Sequence, residues 1–297
     1  MRSGFVSIIG RPNVGKSTFL NSAVGKKIAI MSDKPQTTRN KISGILTTED
    51  SQIIFIDTPG IHKPLNELGK RMTNLAYQST KGVDAIIFMV NLKEELSTGD
   101  SMIIENLKDS KIPVFLAINK IDLKKNDEEV LKRIKEYSDK FEFAGIFPIS
   151  ALNSQNIDLL IKKITEALPE GPQYYPTDMV TDHPERFLIG EIIREKVLML
   201  TKEEVPHSVA VTIESLKKND DGLMECYANI YVEREGQKRI IIGSKGSLLK
   251  QVGTLARKEI NNILGEKIYL ELWVKVKPDW RNSNVLLKSL GYDVDNY

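Results

Sequence analysis

Short, uninterrupted apolar runs recur along the chain at 5–9, 53–56, 85–90, 114–118 and 146–149, separated by longer helix-compatible stretches. Runs this short and continuous suit strands buried on both faces of a mostly parallel sheet, with crossover helices on each side. The stretch 41–48 alternates apolar and polar residues instead, which predicts an edge strand. A helix over 157–168 meets Pro169, Gly171, Pro172 and Pro176, residues that neither continue a helix nor join a sheet centre, so a linker is predicted at 169–184. Beyond it the rhythm changes to a helix over 188–200, alternating strands over 209–216 and 224–234, a glycine-marked helix from Ser247 and a closing strand over 267–277. The pattern predicts an α/β domain over 1–168, a mixed, mostly parallel sheet with helices on both faces. An α+β domain over 185–297, ending in a short tail, follows it.

A length of 297 residues exceeds what one core usually organises, in keeping with two domains. With 41% apolar and 28% charged residues the chain is too apolar for disorder, and its net charge of +2 exerts no global pull on nucleic acid. Any basic surface must therefore be local. Cys226 is the single cysteine, which excludes an internal disulfide and a thiolate metal cage; its alternating surroundings predict strand packing. His62, His183 and His207 are too scattered for a transition-metal site. No apolar run approaches the ~20 residues that cross a bilayer, and Met1–Gly4 leads directly into a strand, so a cytoplasmic protein is expected.

Immediately after the first run stands Gly10-Arg11-Pro12-Asn13-Val14-Gly15-Lys16-Ser17, a GxxxxGKS loop that leads into a helix beginning near Thr18. Its backbone N–H groups can turn inward around a β-phosphate, Lys16 brings charge to the β and γ phosphates, and Ser17 offers a hydroxyl to Mg²⁺. Asp57-Thr58-Pro59-Gly60 closes the second run, with Asp57 expected on Mg²⁺ through water and the Gly60 N–H able to approach a γ-phosphate. After the fourth run comes Asn119-Lys120-Ile121-Asp122. Asp122 can accept from both guanine N1–H and the exocyclic amine, a donor pair that adenine lacks, while Asn119 and Lys120 brace loop and base. Ser150-Ala151-Leu152 follows the fifth run, where the Ala151 N–H is expected to reach guanine O6.

In order and spacing these four pieces resemble the motifs of the translation-factor-related P-loop GTPases across residues 5–155. That resemblance implies a switch threonine in Gln36-Thr37-Thr38-Arg39; Thr38 is preferred as the second Mg²⁺ hydroxyl, with Thr37 left open. Lys16, Thr38 and Gly60 are then the catalytic candidates. Where many such enzymes carry a glutamine, Ile61 stands, and its side chain cannot orient water. Slow intrinsic hydrolysis is expected, assisted by a partner residue, a monovalent cation or reordering of the Thr38 loop. Asn13 is similar to an asparagine that ligates K⁺ in some relatives, and a loop asparagine bonding its own backbone is the other reading.

In the second domain, Gly243-Ser244-Lys245-Gly246 lies between the run 240–242 and a helix start, which resembles the KH module in its type II order α-β-β-α-β. Residues 234–258 hold seven basic side chains against the single acid Glu235. The RNA-binding candidates are Arg239, Ile242, Gly243, Ser244, Lys245, Gly246 and Lys250. Trp273 and Trp280 are expected to be packing residues rather than base platforms.

One GTPase domain followed by a KH domain, with GRPNVGKST, QTTRN, DTPGI, NKID, SAL and IIIGSKG in order, resembles the bacterial Era family over essentially the whole chain. The resemblance implies GTP and GDP as ligands, Mg²⁺ as cofactor, and the 3′ region of 16S ribosomal RNA as partner. It further implies a role in assembly of the small (30S) ribosomal subunit, with monomer as the default state and peripheral membrane contact as a secondary expectation. A Der-like GTPase would carry two phosphate loops, and only one is present. A signalling GTPase whose basic second domain meets anionic lipid remains the alternative of a different class.

Overall fold

The computed structural model describes residues 1–292; the last residues of the expected tail, 293–297, lie outside the described residues. The chain forms two compact units, one comprising Met1–Ala29, Thr38–Leu65 and Gly69–Asp182, the other Ile30–Thr37, Asn66–Leu68 and the chain from His183 onward.

Six strands build the sheet of the first unit: β1 (Arg2–Gly10), β2 (Ile42–Thr47), β3 (Ser51–Asp57), β4 (Ala85–Asn91), β5 (Val114–Asn119) and β6 (Gly145–Pro148). Their order is β2-β3-β1-β4-β5-β6, with β2 antiparallel to β3 and every other pairing parallel. β3, β4 and β5 are buried at every position, because helices cover both faces and no side of these strands meets water. The helices are α1 (Lys16–Val24), α2 (Glu67–Gln78), α3 (Thr98–Leu107), α4 (Asp127–Ser138) and α5 (Ile157–Ala167). Ala76 of α2, Ile103, Ile104 and Leu107 of α3, and Tyr137 of α4 join Phe88, Val90, Leu116 and Ile118 in one core. α1 and α5 pack against each other and against β1. α3 starts where Ser97 and Asp100 close a reciprocal capping box, which satisfies two helix-terminal N–H groups.

β2 is an edge strand, as its alternation predicts, and its backbone is partly covered: the Ile45 N–H donates to the Val180 carbonyl at 2.9 Å. The stretch expected as a linker in fact lies along the first unit as far as Asp182. The cause is Gln52, fully buried on β3, whose amide accepts from the N–H groups of Tyr174 (2.7 Å) and Tyr175 (3.0 Å) and donates to the Tyr175 carbonyl (2.8 Å). A buried amide must find such partners, and the extended, proline-rich segment supplies them.

The second unit has a three-stranded sheet of order β7-β8-β9, from β7 (Ala210–Lys218), β8 (Met224–Val232) and β9 (Ile268–Val276). β7 and β8 are antiparallel, with an irregularity between Ile213 and Ser215, and β8 and β9 are parallel. The helices are α6 (Glu185–Leu200), the short α7 (Val205–Ser208), α8 (Glu235–Ile242), α9 (Ser247–Leu264) and α10 (Asn284–Ser289). Cys226, Ala228, Ile230 and Val232 of β8 meet Ile189, Ile193 and Val197 of α6 and Val252, Ala256 and Ile260 of α9 in a single core. Trp280 is fully buried, its indole N–H donating to the Ser208 carbonyl at 2.9 Å. Trp273 packs outside this core: at 39% exposure it lies on the other face of the sheet, stacked on Tyr227 at 5.8 Å, because strand alternation turns it away from Leu272 and Val274.

Candidate functional site

Parallel pairing brings the carboxyl ends of β1, β3 and β5 to one edge of the first sheet, and β1 lies between β3 and β4, where the strand order reverses. Open α/β sheets bind ligands at this location. The loop after β1 runs straight into α1, whose first residue is Lys16 and whose N-terminus has no side-chain cap, so its N–H groups face the crevice unclaimed by a capping side chain. Gly15 holds φ at +104°, and a Cβ there would lie 2.2 Å from Asn119 Nδ2, so no larger residue fits.

Lys16 is buried and donates to the carbonyls of Arg11 (3.0 Å) and Gly10 (3.3 Å). Burial lowers its pKa to about 8, opposed by the charge of Asp57. Asp57, with no exposed surface, is pushed up to about 6 by burial, opposed by Lys16 and by bonds from Ser17, Thr58 and Thr38. Ser17 Oγ donates to Asp57 Oδ2 at 2.7 Å and lies 2.7 Å from Thr38 Oγ1. Asp57 Oδ1 is buried with no hydrogen-bond partner. An all-oxygen set of two hydroxyls and a carboxylate with an orphaned buried acceptor fits a hard divalent cation such as Mg²⁺. Among the described residues no His/Cys/Asp/Glu cluster suits a transition metal. Thr37 is turned elsewhere, its hydroxyl donating to the Lys34 carbonyl at 2.6 Å.

The loop after β3 is tied to the phosphate loop. Thr58 Oγ1 donates to the Ile8 carbonyl at 2.8 Å and the Ile61 N–H to the Gly10 carbonyl at 3.0 Å. A Cβ on Gly60 would come within 2.6 Å of the Pro12 backbone, so the close approach of these loops requires glycine. Ile61 is buried in the core beneath. One contact has no counterpart in the motif reading: Arg11 pairs with Glu94 (3.0 Å) and with buried Asp100 (3.4 Å), anchoring the phosphate loop to the start of α3. The Ser97-x-x-Asp100 capping signature was the only sequence signal for that carboxylate.

On the base side, buried Asn119 donates to the Val14 carbonyl (2.8 Å) and accepts from the Ala151 N–H (2.9 Å), joining three loops. Lys120, at φ +68°, donates to the Asn13 carbonyl at 2.8 Å. Exposed Asp122 accepts the Ser150 hydroxyl at 2.6 Å, which orients its carboxylate. The Ala151 N–H, expected to reach guanine O6, donates to Asn119 in this structure. Leu152 is 74% exposed.

In the second unit, α8 ends at Gly243 and α9 begins at Ser247, with the GxxG turn between them carrying positive φ at Lys245 (+50°) and Gly246 (+79°). Run 240–242 is thus the end of a helix. Beside the turn a groove of about 430 Å³ lies between α9 and β9, lined by Gly246 of the turn, Leu249, Lys250, Gly253 and Arg257 on the helix and Leu270 and Leu272 on the strand. Ser244, Lys245, Lys250 and Arg239 are exposed, while Ile242 is half-buried against the core. The groove walls beyond GxxG escaped the motif reading, although the three- and four-residue steps on α9 and the two-residue step on β9 encode them.

Residues 5–120 match the family described as 50S ribosome-binding GTPase, and residues 204–281 match the KH domain family. The chain is 45% identical to a variant of Aquifex aeolicus Era solved bound to GDP and AlF4⁻, with a TM-score of 0.96 over 99% of this chain and all of that one. Identity, coverage and TM-score are the same for Era solved in complex with MgGDPNP and nucleotides 1506–1542 of 16S ribosomal RNA.

Proposed function

Because the chain belongs to the Era family of GTPases, we propose that it is a GTP-hydrolysing switch whose second unit grips the 3′ region of 16S ribosomal RNA during assembly of the small ribosomal subunit. The observation that carries this reading is the full-length likeness to a protein solved with both a magnesium nucleotide and that RNA. The family described by the 50S particle spans only the nucleotide-binding part, so the RNA partner is argued from the part it leaves out.

Lys16 and the N–H groups at the start of α1 hold the β and γ phosphates, and the Gly60 N–H senses the γ-phosphate. Ser17, Thr38 and Asp57 hold Mg²⁺, which neutralises phosphate charge when bound; Thr38 is favoured over Thr37 by its 2.7 Å approach to Ser17. Asp122, steadied by Ser150, selects guanine. With Ile61 in the core, no side chain from that position orients the attacking water, so intrinsic hydrolysis is slow. Asn13, exposed at φ +62°, is our candidate K⁺ ligand, and faster hydrolysis in KCl than in NaCl is the corresponding expectation.

Exposed Lys245 and Lys250 attract RNA phosphates while the apolar groove wall receives unstacked bases. A cytoplasmic protein follows from this role. The basic face also suits peripheral contact with anionic lipid, but a groove with apolar walls favours bases over headgroups. The test is binding of the intact protein to a 16S 3′ fragment with GTP analogue or GDP at several salt concentrations, against Lys245→Glu plus Lys250→Glu. Glycine variants are poorer probes, since a Cβ on Gly243 meets the Leu248 backbone at 2.9 Å. Tight, GTP-favoured binding weakened by the charge reversal supports the reading. RNA binding indifferent to both lysines, or vesicle binding without RNA binding, sinks it.

A further inference from the structure

Neither the nucleotide site nor the RNA groove uses Trp273, which stands on the face of the second sheet turned away from α6 and α9. Strand register fixes what shares that face, since residues directly opposite on neighbouring strands point the same way. Glu225 of β8 lies opposite Tyr269 of β9, Tyr227 opposite Glu271, and Asn229 opposite Trp273. Cys226, Ala228 and Ile230, which alternate with them on β8, enter the core instead. The outer face is therefore aromatic: Tyr227 stacks on Trp273 at 5.8 Å and meets Tyr269 edge-on at 6.1 Å. Trp273 and Tyr269 both remain open to solvent, Tyr269 at 44% exposure.

The polar atoms beside these rings are acceptors. The Tyr227 hydroxyl donates to Glu225 at 3.3 Å and the Tyr269 hydroxyl to Glu271 at 3.1 Å, so the phenolic protons are spent within the face. Each carboxylate keeps lone pairs to spare, and among the described residues neither pairs with a cation. The lysines of the face are placed elsewhere: Lys275 pairs with Glu214 at 3.7 Å, and Lys217 lies across β8 from Tyr269. Asn229, at 3% exposure, donates its amide to Glu214 at 2.6 Å, and its Oδ1 is buried with no hydrogen-bond partner. An orphaned acceptor in the same cross-strand row as Trp273 marks a place where a donor is wanted. One ring of this face already carries a cation, since Lys277 Nζ lies 4.5 Å from the centre of Tyr231.

Flat rings bordered by unpaired acceptors match a guanidinium, which is planar, offers five N–H groups and accepts nothing. An ammonium has no plane to stack on the indole. A nucleic acid would bring its phosphates against Glu225 and Glu271, and like charges repel. We infer that this face is a docking surface for an arginine-rich segment of a protein partner, with a guanidinium stacked on Trp273 and its N–H groups directed to the neighbouring carboxylates. The second unit would then hold RNA in the groove beside α9 and a basic peptide on the opposite side of the same sheet. The peptide face stands independently of the RNA reading, because none of Tyr227, Asn229 and Trp273 lines the groove.

The experiment titrates the full chain with a peptide of alternating arginine and glycine, and with its lysine counterpart of equal length and charge. Trp273 and Trp280 are the only tryptophans, and Trp280 is fully buried, so a change in indole fluorescence reports on Trp273. The arginine peptide should shift that fluorescence and bind about tenfold more tightly than the lysine peptide. By calorimetry, Trp273→Ala should weaken the arginine peptide about tenfold and Glu225→Gln about threefold, while affinity for the 16S 3′ fragment stays within about twofold of wild type. Thermal unfolding checks the fold; should Trp273→Ala fail to fold, Trp273→Leu and Glu225→Gln carry the test with the same direction of change. Equal affinity for the two peptides, or an arginine-peptide affinity indifferent to the folded variants, overturns the docking surface. So does RNA affinity lost with the Trp273 ring, which would make the face a base platform. Failure of wild type to bind the RNA fragment, with peptide binding intact, would overturn the RNA reading alone.

Discussion

Asn119→Ala tests how the nucleotide loops are held together. Asn119 is 2% exposed, and its two bonds go to the Val14 carbonyl and the Ala151 N–H, backbone groups of residues that are themselves buried. Removing the amide leaves both groups without their partner, at about 1–3 kcal/mol each, or roughly 2–6 kcal/mol together if water cannot enter. Part of that cost is relieved if the loops open, and these are the loops that must stay closed around phosphate and base. The expected outcome is a lowered unfolding temperature together with GDP affinity weakened by about 30-fold or more, equivalent to roughly 2 kcal/mol.

Fluorescent-GDP titration and thermal unfolding with and without GDP measure the two effects separately, since bound ligand stabilises in proportion to its affinity. Gly15→Ala supplies a second route, because its Cβ would strike the same amide at 2.2 Å. The double variant should lose less affinity than the sum of the singles, because truncating Asn119 removes the obstruction though not the strain of positive φ. GDP affinity within threefold of wild type in a destabilised Asn119→Ala would refute the reasoning, and so would strict additivity with Gly15→Ala.

Asp122→Asn should weaken guanine nucleotides by two orders of magnitude or more and favour xanthine nucleotides, whose C2 carbonyl accepts from the new amide; competition binding checks this, and retained guanine preference would count against the assigned role. In nucleotide-free protein with chelator, Asp57 holds its proton up to about pH 6 whereas the unfolded group releases it near 3.8, so the folded state binds more protons between these values. Its contribution to stability is therefore present below about pH 4 and lost as pH rises through about 6. Mg²⁺ binding strengthens over the same rise, and Asp57→Asn should remove this segment of both profiles in unfolding and metal titrations. Burial pushes the Cys226 thiol up to about 11, and the residue has no exposed surface. Alkylation at pH 8 should therefore proceed only through opening of the second unit and accelerate with denaturant; rapid labelling of the native protein would contradict its packing in the core.

Strand runs, helix stretches and the four nucleotide motifs were legible in the sequence because each depends on neighbours along the chain. Burial on both faces writes continuous apolar runs such as Ala85–Val90, and a phosphate loop must sit between a strand and a helix. Era-family resemblance was legible for the same reason, through the order of local motifs. Pairings between residues far apart were decided only by the tertiary structure. Periodicity gives no reason why Thr38 rather than Thr37 meets Ser17, why Asn119 takes the Ala151 N–H, why Gln52 draws the segment 174–175 onto β3, or why Trp273 faces outward. These outcomes depend on which elements pack together, over separations at which hydrophobic patterning carries no information.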